Sequence, residues 1–301
     1  MSARLYDCFT FFNELDILEL RLRELDALVH RFVLVEANMT FTGNPKPLHF
    51  ALNAARFAAW IDRIIHIVVD DFPIGMTDPW QREAFQRNAI ARGLAHAHPG
   101  DMVLVSDVDE IPKPDFLARA LADPASARAV TTFECEVFVY YLNLRGCPPL
   151  YSLVGPRLIA RRYFHGAENL RRHKPVWRRR NNFGPLGNIV IAARLLVATG
   201  ARLRNVILRN SCWHFTFLGG PDKVRLKLAS YSHTELASDD LLNGTKVEEL
   251  MAAHRLIHWE NTRMVEAAID HTMPKTLQDQ PARFAALMIP AKPWTRIIPD
   301  C

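Results

Sequence analysis

MVLVSDVDEIP, residues 102–112, is an apolar run that ends on three carboxylates, Asp107, Asp109 and Glu110. A short apolar run bounded by turn residues is typical of a buried strand. Successive side chains of a strand point to opposite faces, so Asp107 and Asp109 share one face and Val108 points to the other. The sequence therefore predicts a strand whose end presents two acids side by side.

Two carboxylates at the end of a strand are candidates for a cation site. Mg²⁺ and Mn²⁺ prefer oxygen ligands and often take further ligands from the phosphates of a substrate. This favours a metal-diphosphate site on Asp107 and Asp109. The alternative is that the acids only solvate the turn before Pro112 and Pro114. An Asp-x-Asp pair is too short a motif to decide between the two interpretations.

Strand-like and helix-like segments alternate before and through this stretch. Leucines recur at helical spacing after Asn13 and Glu14, and residues 80–98 form a proline-free segment rich in helix formers. Alternation of this kind is typical of an α/β fold with a mostly parallel central sheet flanked by helices, whose ligands bind at the carboxyl ends of the strands. The predicted strands are residues 5–12, 31–36, 64–69 and 102–106.

The second half of the chain reads differently and predicts long strands, a loop and helices. We expect one catalytic domain over residues 1–240 and a C-terminal helical extension, residues 241–301, packed on the same domain. The predicted segments are β-rich residues 129–144, a Gly/Asn-rich loop at 181–188, a strand at 206–217 and helices at 221–231, 246–258 and 261–271.

Composition points to an ordinary globular protein. The 301 residues are 49% hydrophobic and 23% charged. No apolar run reaches the roughly 18–20 residues of a membrane helix, and the first residues lack the apolar core of a signal peptide, so we expect a cytoplasmic protein. Neither a disulfide framework nor a zinc site is predicted, because the cysteines are odd in number and scattered singly: Cys8, Cys135, Cys147, Cys212 and Cys301.

The net charge of +5 is concentrated in residues 157–180. A basic cluster can bind phosphates, nucleic acid or anionic lipid, or it can be a solvated loop. Peripheral contact with the inner face of a membrane is therefore an open alternative. The basic residues of this cluster are Arg157, Arg161, Arg162, Arg171, Arg172, Lys174, Arg178, Arg179 and Arg180, and Glu168 opposes them.

Five segments together resemble glycosyltransferase family 17. They occur in the order of the family and span residues 4–235 with the intervening sequence. The resemblance implies a GT-A type nucleotide-sugar-binding fold, a UDP-sugar donor such as UDP-N-acetylglucosamine, Mn²⁺ or Mg²⁺, and inversion at the anomeric carbon. The segments are RLYDCFTFFNELDILELRL (4–22), FVLVEANMTFTGNPKPLHF (32–50), WQREAFQRNAI (80–90), LVSDVDEIP (104–112) and CWHFTFLGG (212–220).

The chain also departs from the animal members of that family. We expect no counterpart of their membrane anchor and stem, and their Trp-His-Cys segment reads Trp213-His214-Phe215. We therefore expect a soluble, bacterial-type member whose acceptor is a glycan, a lipid-linked sugar or a small molecule rather than a glycoprotein. No nucleic-acid partner is expected under this interpretation.

The resemblance assigns roles around the cation. Asp109 is the expected direct metal ligand, Asp107 contacts metal or ribose, and Glu110 supports catalysis beside them. His214 supplies a late ligand to the metal or diphosphate, or else it is a core histidine. Glu36, at the end of the second strand, is expected to contact uracil or ribose; alternatively it caps a helix.

Further residues are expected to contact the donor. Asn13 and Glu14 follow the first strand, where the nucleotide would enter, although they also suit a helix start. Arg82, Arg87 and Asn88 precede the acidic strand, and a guanidinium can bind paired phosphate or hydroxyl oxygens. The alternative for the arginines is a surface ion pair.

An inverting transfer needs a carboxylate that accepts the proton of the acceptor hydroxyl. Glu136 is the first choice for this general base. The other candidates are Glu134, Glu168, Asp222 and Glu235.

Two other functions compete with sugar transfer. A nucleotidyl- or phosphotransferase also needs acids and Mg²⁺, although the sequence lacks a GxxxxGK[ST] phosphate loop. A non-catalytic module could instead bind anions through residues 157–180, and its binding would weaken with salt without needing the carboxylates.

Overall fold

The computed structural model describes residues 3–175, 184–257 and 262–289. The strands in this part of the chain are β1 Leu5–Phe11, β2 Arg31–Ala37, β3 Ile64–Val69, β4 Met102–Asp107, β5 Glu110–Pro112, β6 Ala129–Val139, β7 Leu144–Cys147, β8 Tyr151–Ser152, β9 Arg157–Ala160, β10 Arg204–Thr216 and β11 Arg263–Glu266.

The α-helices are α1 Leu15–Leu25, α2 His49–Leu52, α3 Pro79–Asn88, α4 Pro114–Ala122, α5 Ala167–Arg172, α6 Gly184–Thr199, α7 Pro221–Ser230, α8 Asp239–Asn243, α9 Lys246–Ala252 and α10 Lys275–Asp279. Short 3₁₀ helices cover Ala54–Arg63, Ala89–Leu94, Pro124–Arg128, Arg161–Tyr163, Thr234–Leu236 and Pro281–Leu287.

The strands form one mixed sheet, and the predicted α/β fold is confirmed. Its path runs β11-β7-β6-β9-β4-β1-β2-β3, and β5, β8 and β10 pair beside this path. Strands β3, β2, β1 and β4 are parallel, whereas β9 is antiparallel to both β4 and β6. The four strands predicted in the first half all form.

The parallel strands are mostly apolar because both faces of the sheet are covered. Phe32 and Leu34 face one side of β2 and pack in a cluster with the leucines of α1, whereas Val33 and Val35 face the other side and pack with Ile90. All four β2 side chains are fully buried. The helical spacing of the α1 leucines thus covers one face of the sheet, as the sequence predicts.

Strand β4 pairs with one edge of β1, whereas β2 and then β3 follow on the other edge of β1. The sheet therefore has a topological switch point between β1 and β4. In open α/β sheets, a crevice at the carboxyl ends of such strands is where ligands bind. The two strands end at Phe11 and Asp107. The fold therefore places residues 107–110, which we call the acidic turn, in that crevice.

Strand β10, from the second half of the chain, lies beside the acidic turn. It runs parallel to β6 along most of its length and antiparallel to β5, where His214 is opposite Glu110. The backbone N–H of Phe215 donates to the Asp109 carbonyl at 2.9 Å. This pairing fixes the position of His214 beside the acids.

Two predictions for the second half are wrong in part. Helix α6 begins at Gly184, inside the segment expected to be a loop, and the apolar residues that follow it carry the helix on to Thr199. Residues 263–266, expected to be helical, form β11 because they pair with β7 at the sheet edge. The segment after residue 240 therefore contains a strand as well as helices. The domain boundary at residue 240 stays a prediction.

Cys8, Cys135 and Cys212 are buried free thiols, whereas Cys147 is disulfide-bonded. The odd number and wide spacing of the cysteines did not predict this bond. Among the residues that the structure describes, no helix has the length and apolar character needed to cross a membrane.

Glu19 joins three parts of the chain. Its buried carboxylate accepts hydrogen bonds from Arg23 at 2.9 Å, Arg56 at 2.7 Å and Arg283 at 2.5 Å. Burial alone would raise the pKa of the Glu19 carboxyl, but these three guanidinium groups lower it to about 2. The cluster therefore stabilises the packing of α1 against residues 54–63 and 281–287.

We expect Glu19→Gln to lower the free energy of unfolding by roughly 2–3 kcal/mol at pH 7. A depressed carboxyl pKa stabilises the fold above about pH 4.5, and this contribution is lost as the pH falls toward 2. The difference between wild type and variant should thus shrink to about half at pH 3. Denaturant unfolding at the two pH values measures it. Asp16→Asn, on the same helix but 40% exposed, should change stability by less than about 1 kcal/mol; equal effects would contradict the cluster's role.

Candidate active site

A cavity of about 620 Å³ opens at the carboxyl ends of β1 and β4. This volume is typical of a small-molecule site. Residues of the acidic turn form its floor, and side chains of α3, α5, β10 and α7 surround them. The predicted crevice is therefore a real cavity, and it contains all three acids of the starting motif.

Asp107 is held by groups from three other segments. Its Oδ1 accepts from the Thr10 hydroxyl at 3.1 Å, and its Oδ2 accepts from Arg171 Nη2 at 2.9 Å. Arg87 Nη2 lies 3.5 Å from Oδ1. Burial would raise the pKa of this carboxyl, but the two guanidinium groups lower it, so Asp107 is an ionised acceptor.

Glu110 and Arg171 form a buried fork. Arg171 Nη1 donates to Glu110 Oε2 at 2.8 Å and Nη2 donates to Oε1 at 3.0 Å. The same guanidinium donates to the Gly155 carbonyl at 2.6 Å. Paired N–H···O bonds of this kind fix geometry as well as charge. Arg171 therefore locks α5 onto the acidic turn.

Arg21 supports the same turn from below. It lies in α1, is fully buried, and pairs with Asp7 at 2.6 Å. Its Nη1 donates to the carbonyls of Glu110 at 2.7 Å, Asp107 at 3.2 Å and Val108 at 3.3 Å. One guanidinium thus satisfies the backbone acceptors of the turn that presents the acids.

Asp109 faces a different cation. Lys227 Nζ, from α7, donates to Asp109 Oδ2 at 2.8 Å, and His214 Nε2 lies 3.7 Å from the same oxygen. Burial would raise the pKa of Asp109, but Lys227 and His214 hold it well below its usual range. For the two cationic partners the signs are reversed. Burial alone would lower the pKa of Lys227 and of His214, but the Asp109 carboxylate raises the pKa of both. Asp109 therefore carries its charge next to an ammonium.

Arg87 links the acidic turn to the cavity wall. It pairs with Glu83 and, at 2.5 Å, with Glu168, both of which line the cavity. Buried polar groups normally have hydrogen-bond partners. Three side chains that line this cavity instead carry a buried polar atom without one: Arg87 Nε, His214 Nδ1 and Tyr231 Oη. Such atoms favour a polar ligand as the missing partner.

Comparison with known proteins finds a family match in the N-terminal part of the chain. Residues 1–128 match glycosyltransferase family 17. This stretch contains β1, α1, α3 and the acidic turn. The match confirms, over these residues, the resemblance predicted from the sequence. The segment CWHFTFLGG (212–220) lies beyond the match, so its part of the resemblance stays a prediction.

Proteins named beta-1,4-mannosyl-glycoprotein 4-beta-N-acetylglucosaminyltransferase, from Rattus norvegicus and Homo sapiens, are each 30% identical to this chain over 123 residues. The match covers 38% of this chain and 23% of each relative. The chain therefore spans about a quarter of the length of these relatives.

Two solved structures show weaker similarity. HddC from Yersinia pseudotuberculosis is 9% identical over 69% of this chain and 91% of its own, with a TM-score of 0.36. Galactosyltransferase LgtC, in complex with donor and acceptor sugar analogs, is 12% identical over 82% of this chain and 95% of its own, with a TM-score of 0.32. TM-scores of this size do not support an assignment of function.

Several residues expected to bind the donor lie outside the cavity. Glu36 is fully buried and accepts from the Phe50 N–H at 3.0 Å, with His66 at 3.1 Å, so neither carboxylate oxygen is directed to a nucleotide. Arg82 donates to the Phe41 and Thr77 carbonyls. These contacts fit a structural role better than the expected contact with the donor.

Other predicted donor contacts lie near the cavity or in it. Asn88 Oδ1 accepts from the backbone N–H of Glu168 at 3.0 Å, so it orients the start of α5. Glu14 lines the cavity, and its Oε2 accepts from the backbone N–H groups of Phe12 and Asn13. Of the predicted donor-binding residues, Glu14 and Arg87 therefore line the cavity.

The candidates for the general base are separated by the fold. Glu136 pairs with Arg145 at 2.9 Å, and Glu134 pairs with Arg209; neither lines the cavity. Asp222 is fully exposed on α7, and Glu235 also lies outside the cavity. Glu168 alone among the predicted bases lines it. The geometry therefore does not support the choice of Glu136.

The basic cluster is not one exposed surface. Arg157 is 1% exposed and donates to the carbonyls of Gly155 and Leu153, and Arg171 is bound to the acidic turn. Arg162, Arg172 and Lys174 are exposed. Arg178, Arg179 and Arg180 lie outside the described residues. Arg157 and Arg171, expected at an anion-binding surface, are thus buried and bind groups within the protein.

The expected metal ligands lie beside cationic side chains of the protein. Asp107 faces Arg171 and Thr10, and Asp109 faces Lys227. Within residues 3–175, 184–257 and 262–289, no group of three or more His, Cys, Asp and Glu side chains is placed to hold a metal ion. The cations that neutralise Asp107 and Asp109 are thus side chains of the protein, Arg171 and Lys227. The assignment of the two carboxylates as ligands of Mn²⁺ or Mg²⁺ stays a prediction.

Proposed function

We propose that the protein is a glycosyltransferase that moves a sugar from a nucleoside-diphosphate sugar to an acceptor hydroxyl. One observation carries this proposal: the segment that matches glycosyltransferase family 17 presents Asp107, Asp109 and Glu110 to a cavity at the sheet's switch point. Such cavities bind nucleotides in many α/β proteins. The names of the relatives add the expectation that the sugar is N-acetylglucosamine, and the family resemblance of the sequence adds the expectation that the nucleotide is UDP.

The charges of the cavity suit a diphosphate held beside carboxylates. Lys46, Arg87, Arg172 and Lys227 line the cavity together with the acids. Fixed cations can stabilise the negative charge that develops on a leaving diphosphate, and they are more effective where water is excluded. The acids hold the cations in place and offer acceptors for sugar or ribose hydroxyls.

The proposed reaction inverts the anomeric carbon. The acceptor oxygen forms a bond to that carbon while the bond to the diphosphate breaks, and the electron pair stays on the diphosphate. The proton of the acceptor hydroxyl passes to a carboxylate. The cavity offers Glu14, Glu83 and Glu168 for this proton, whereas Glu136 does not line it and pairs with Arg145.

Part of the cavity lining is apolar. It includes Val137, Val139, Phe217, Leu256 and Ile257. An apolar wall with a few polar groups is typical of sites that bind small molecules or sugar rings. It supports an acceptor that is a glycan, a lipid-linked sugar or a small molecule.

The proposal is tested by the unfolding of the protein in the presence of nucleotide sugars. UDP-, GDP-, dTDP- and CMP-linked sugars are added, each with and without Mn²⁺. A ligand at 100 times its dissociation constant raises the free energy of unfolding by about 2.7 kcal/mol. We expect this stabilisation from UDP-N-acetylglucosamine and UDP.

A pair of arginine variants locates the binding. Arg87→Met should lose the stabilisation, because Arg87 lines the cavity and contacts Asp107. Arg92→Met should keep it, because Arg92 is 41% exposed, pairs with Asp71 and lies outside the cavity. Stabilisation by no nucleotide sugar under either condition would contradict the proposed function.

A further inference from the structure

The position beside Asp109 is taken by a lysine. Lys227 Nζ lies 2.8 Å from Asp109 Oδ2, 3.4 Å from the Thr216 hydroxyl and 4.0 Å from Glu14 Oε1. All four side chains line the cavity. We infer that the Lys227 ammonium, rather than a divalent metal ion, is the cation that meets the diphosphate of the donor. The inference rests on the proposed function.

The fold holds Lys227 in this place. Gly219 and Gly220 have φ angles of 92° and 89°, a conformation that glycine adopts without strain, and the chain turns there from β10 into α7. Val224 and Leu228, on the inner face of α7, are fully buried. The helix is therefore anchored on both sides of Lys227 while the ammonium reaches back to the acidic turn.

A metal ion would have to displace this lysine. The nearest carboxylates are already neutralised, Asp107 by Arg171 and Arg87 and Asp109 by Lys227. The described residues contain no group of three or more His, Cys, Asp and Glu side chains placed to hold a metal ion, so those ion pairs would be lost without a ready set of ligands in exchange. A fixed ammonium needs no such exchange.

The chemistry of the transfer balances without a metal. When the bond from the sugar to the diphosphate breaks, the electron pair stays on the diphosphate and adds negative charge there. The ammonium of Lys227 can donate up to three N–H bonds, of which Asp109 accepts one at 2.8 Å and the Thr216 hydroxyl a longer one at 3.4 Å. The third is available to a diphosphate oxygen. The acceptor's proton still passes to a cavity carboxylate.

Calorimetric titration with UDP tests the inference on the whole protein, once in EDTA and once in Mn²⁺. Wild type should bind UDP in both, with dissociation constants that differ by less than about threefold. Lys227→Met should weaken binding in EDTA by about tenfold or more, since a hydrogen bond to a charged group contributes about 1.5–3 kcal/mol. Lys227→Arg keeps the charge and should restore most of the affinity.

Lys223→Met is the matched control. Lys223 lies one turn earlier on α7, is exposed and is not part of the cavity, so its removal should leave UDP binding unchanged. A second readout is the electron paramagnetic resonance signal of Mn²⁺, which should stay that of the free ion when wild type is added without nucleotide.

The outcomes separate this inference from the proposed function. Binding of UDP to wild type only in Mn²⁺ would overturn the role of Lys227 and leave the glycosyltransferase proposal standing. Metal-independent binding that Lys227→Met does not weaken would also overturn it. No binding of any nucleoside diphosphate in either buffer would contradict the proposed function itself, and the inference with it.

Discussion

Replacing Arg21 by methionine is expected to lower the free energy of unfolding by roughly 3–5 kcal/mol, the usual loss when one partner of a buried ion pair is removed. The variant leaves the Asp7 carboxylate buried without a cation. It also leaves the carbonyls of Asp107, Val108 and Glu110 without their donor. Denaturant unfolding measures the change.

Arg23→Met is the control for this prediction. Arg23 lies two residues further along α1 and pairs with Glu19, which keeps Arg56 and Arg283 as partners. We expect less than about 1 kcal/mol for this variant. Stabilisation of the protein by UDP-N-acetylglucosamine should be lost in Arg21→Met and kept in Arg23→Met, because Arg21 shapes the acidic turn. Similar stabilities for the two variants would show that Arg21 is not the support of the turn.

Replacing Arg171 by methionine is the second change with a large expected effect. The loss should again be roughly 3–5 kcal/mol, because Glu110, 2% exposed, keeps a buried charge without its partner. Arg172→Met should change stability by less than about 1 kcal/mol, since the Arg172 side chain is 70% exposed.

A double-mutant cycle separates charge from packing at this position. Glu110→Gln removes the charge that Arg171 neutralises, so the double variant Arg171→Met, Glu110→Gln should be less destabilised than the sum of the two single variants. Residues in direct contact typically differ from additivity by 0.5–3 kcal/mol. Strict additivity would mean that the fork contributes nothing specific to the turn.

The parallel strands and the acidic turn could be predicted because their signals are local. Val33 to Val35 lie in an unbroken apolar run, and Asp107 and Asp109 directly follow another. Runs of this kind specify buried strands whatever the rest of the chain does. The crevice at the strand ends then follows from topology rather than from any single residue.

The cations that surround the acids could not be predicted in the same way. Lys227 is 118 residues from Asp109, and Arg171 is 64 residues from Asp107. No periodicity connects positions so far apart. Arg171 was visible only as one member of a basic cluster, and the cluster suggested a surface. Its burial depends on where α5 packs, which is a property of the assembled fold.

Arg21 did leave a signal that was not used. It occurs at helical spacing with Leu18 and Leu25, on the apolar face of the predicted helix. A charged residue at a core position needs a buried partner, because an unpaired buried charge is strongly unfavourable. Asp7, the single acid within the first predicted strand, was the available candidate. The strand β11 had no comparable signal, since its four residues are specified by pairing at a sheet edge.

Release of UDP from UDP-N-acetylglucosamine by the purified protein tests the central claim most directly. The protein is incubated with the labelled donor and a set of glycan, lipid-linked and small-molecule acceptors, beside Arg171→Met. We predict UDP release above the level of that variant, and one acceptor that gains a sugar in the anomeric configuration opposite to the donor. Folded wild-type protein that releases no nucleoside diphosphate from any nucleotide sugar, with any acceptor and with or without Mn²⁺, would contradict the account.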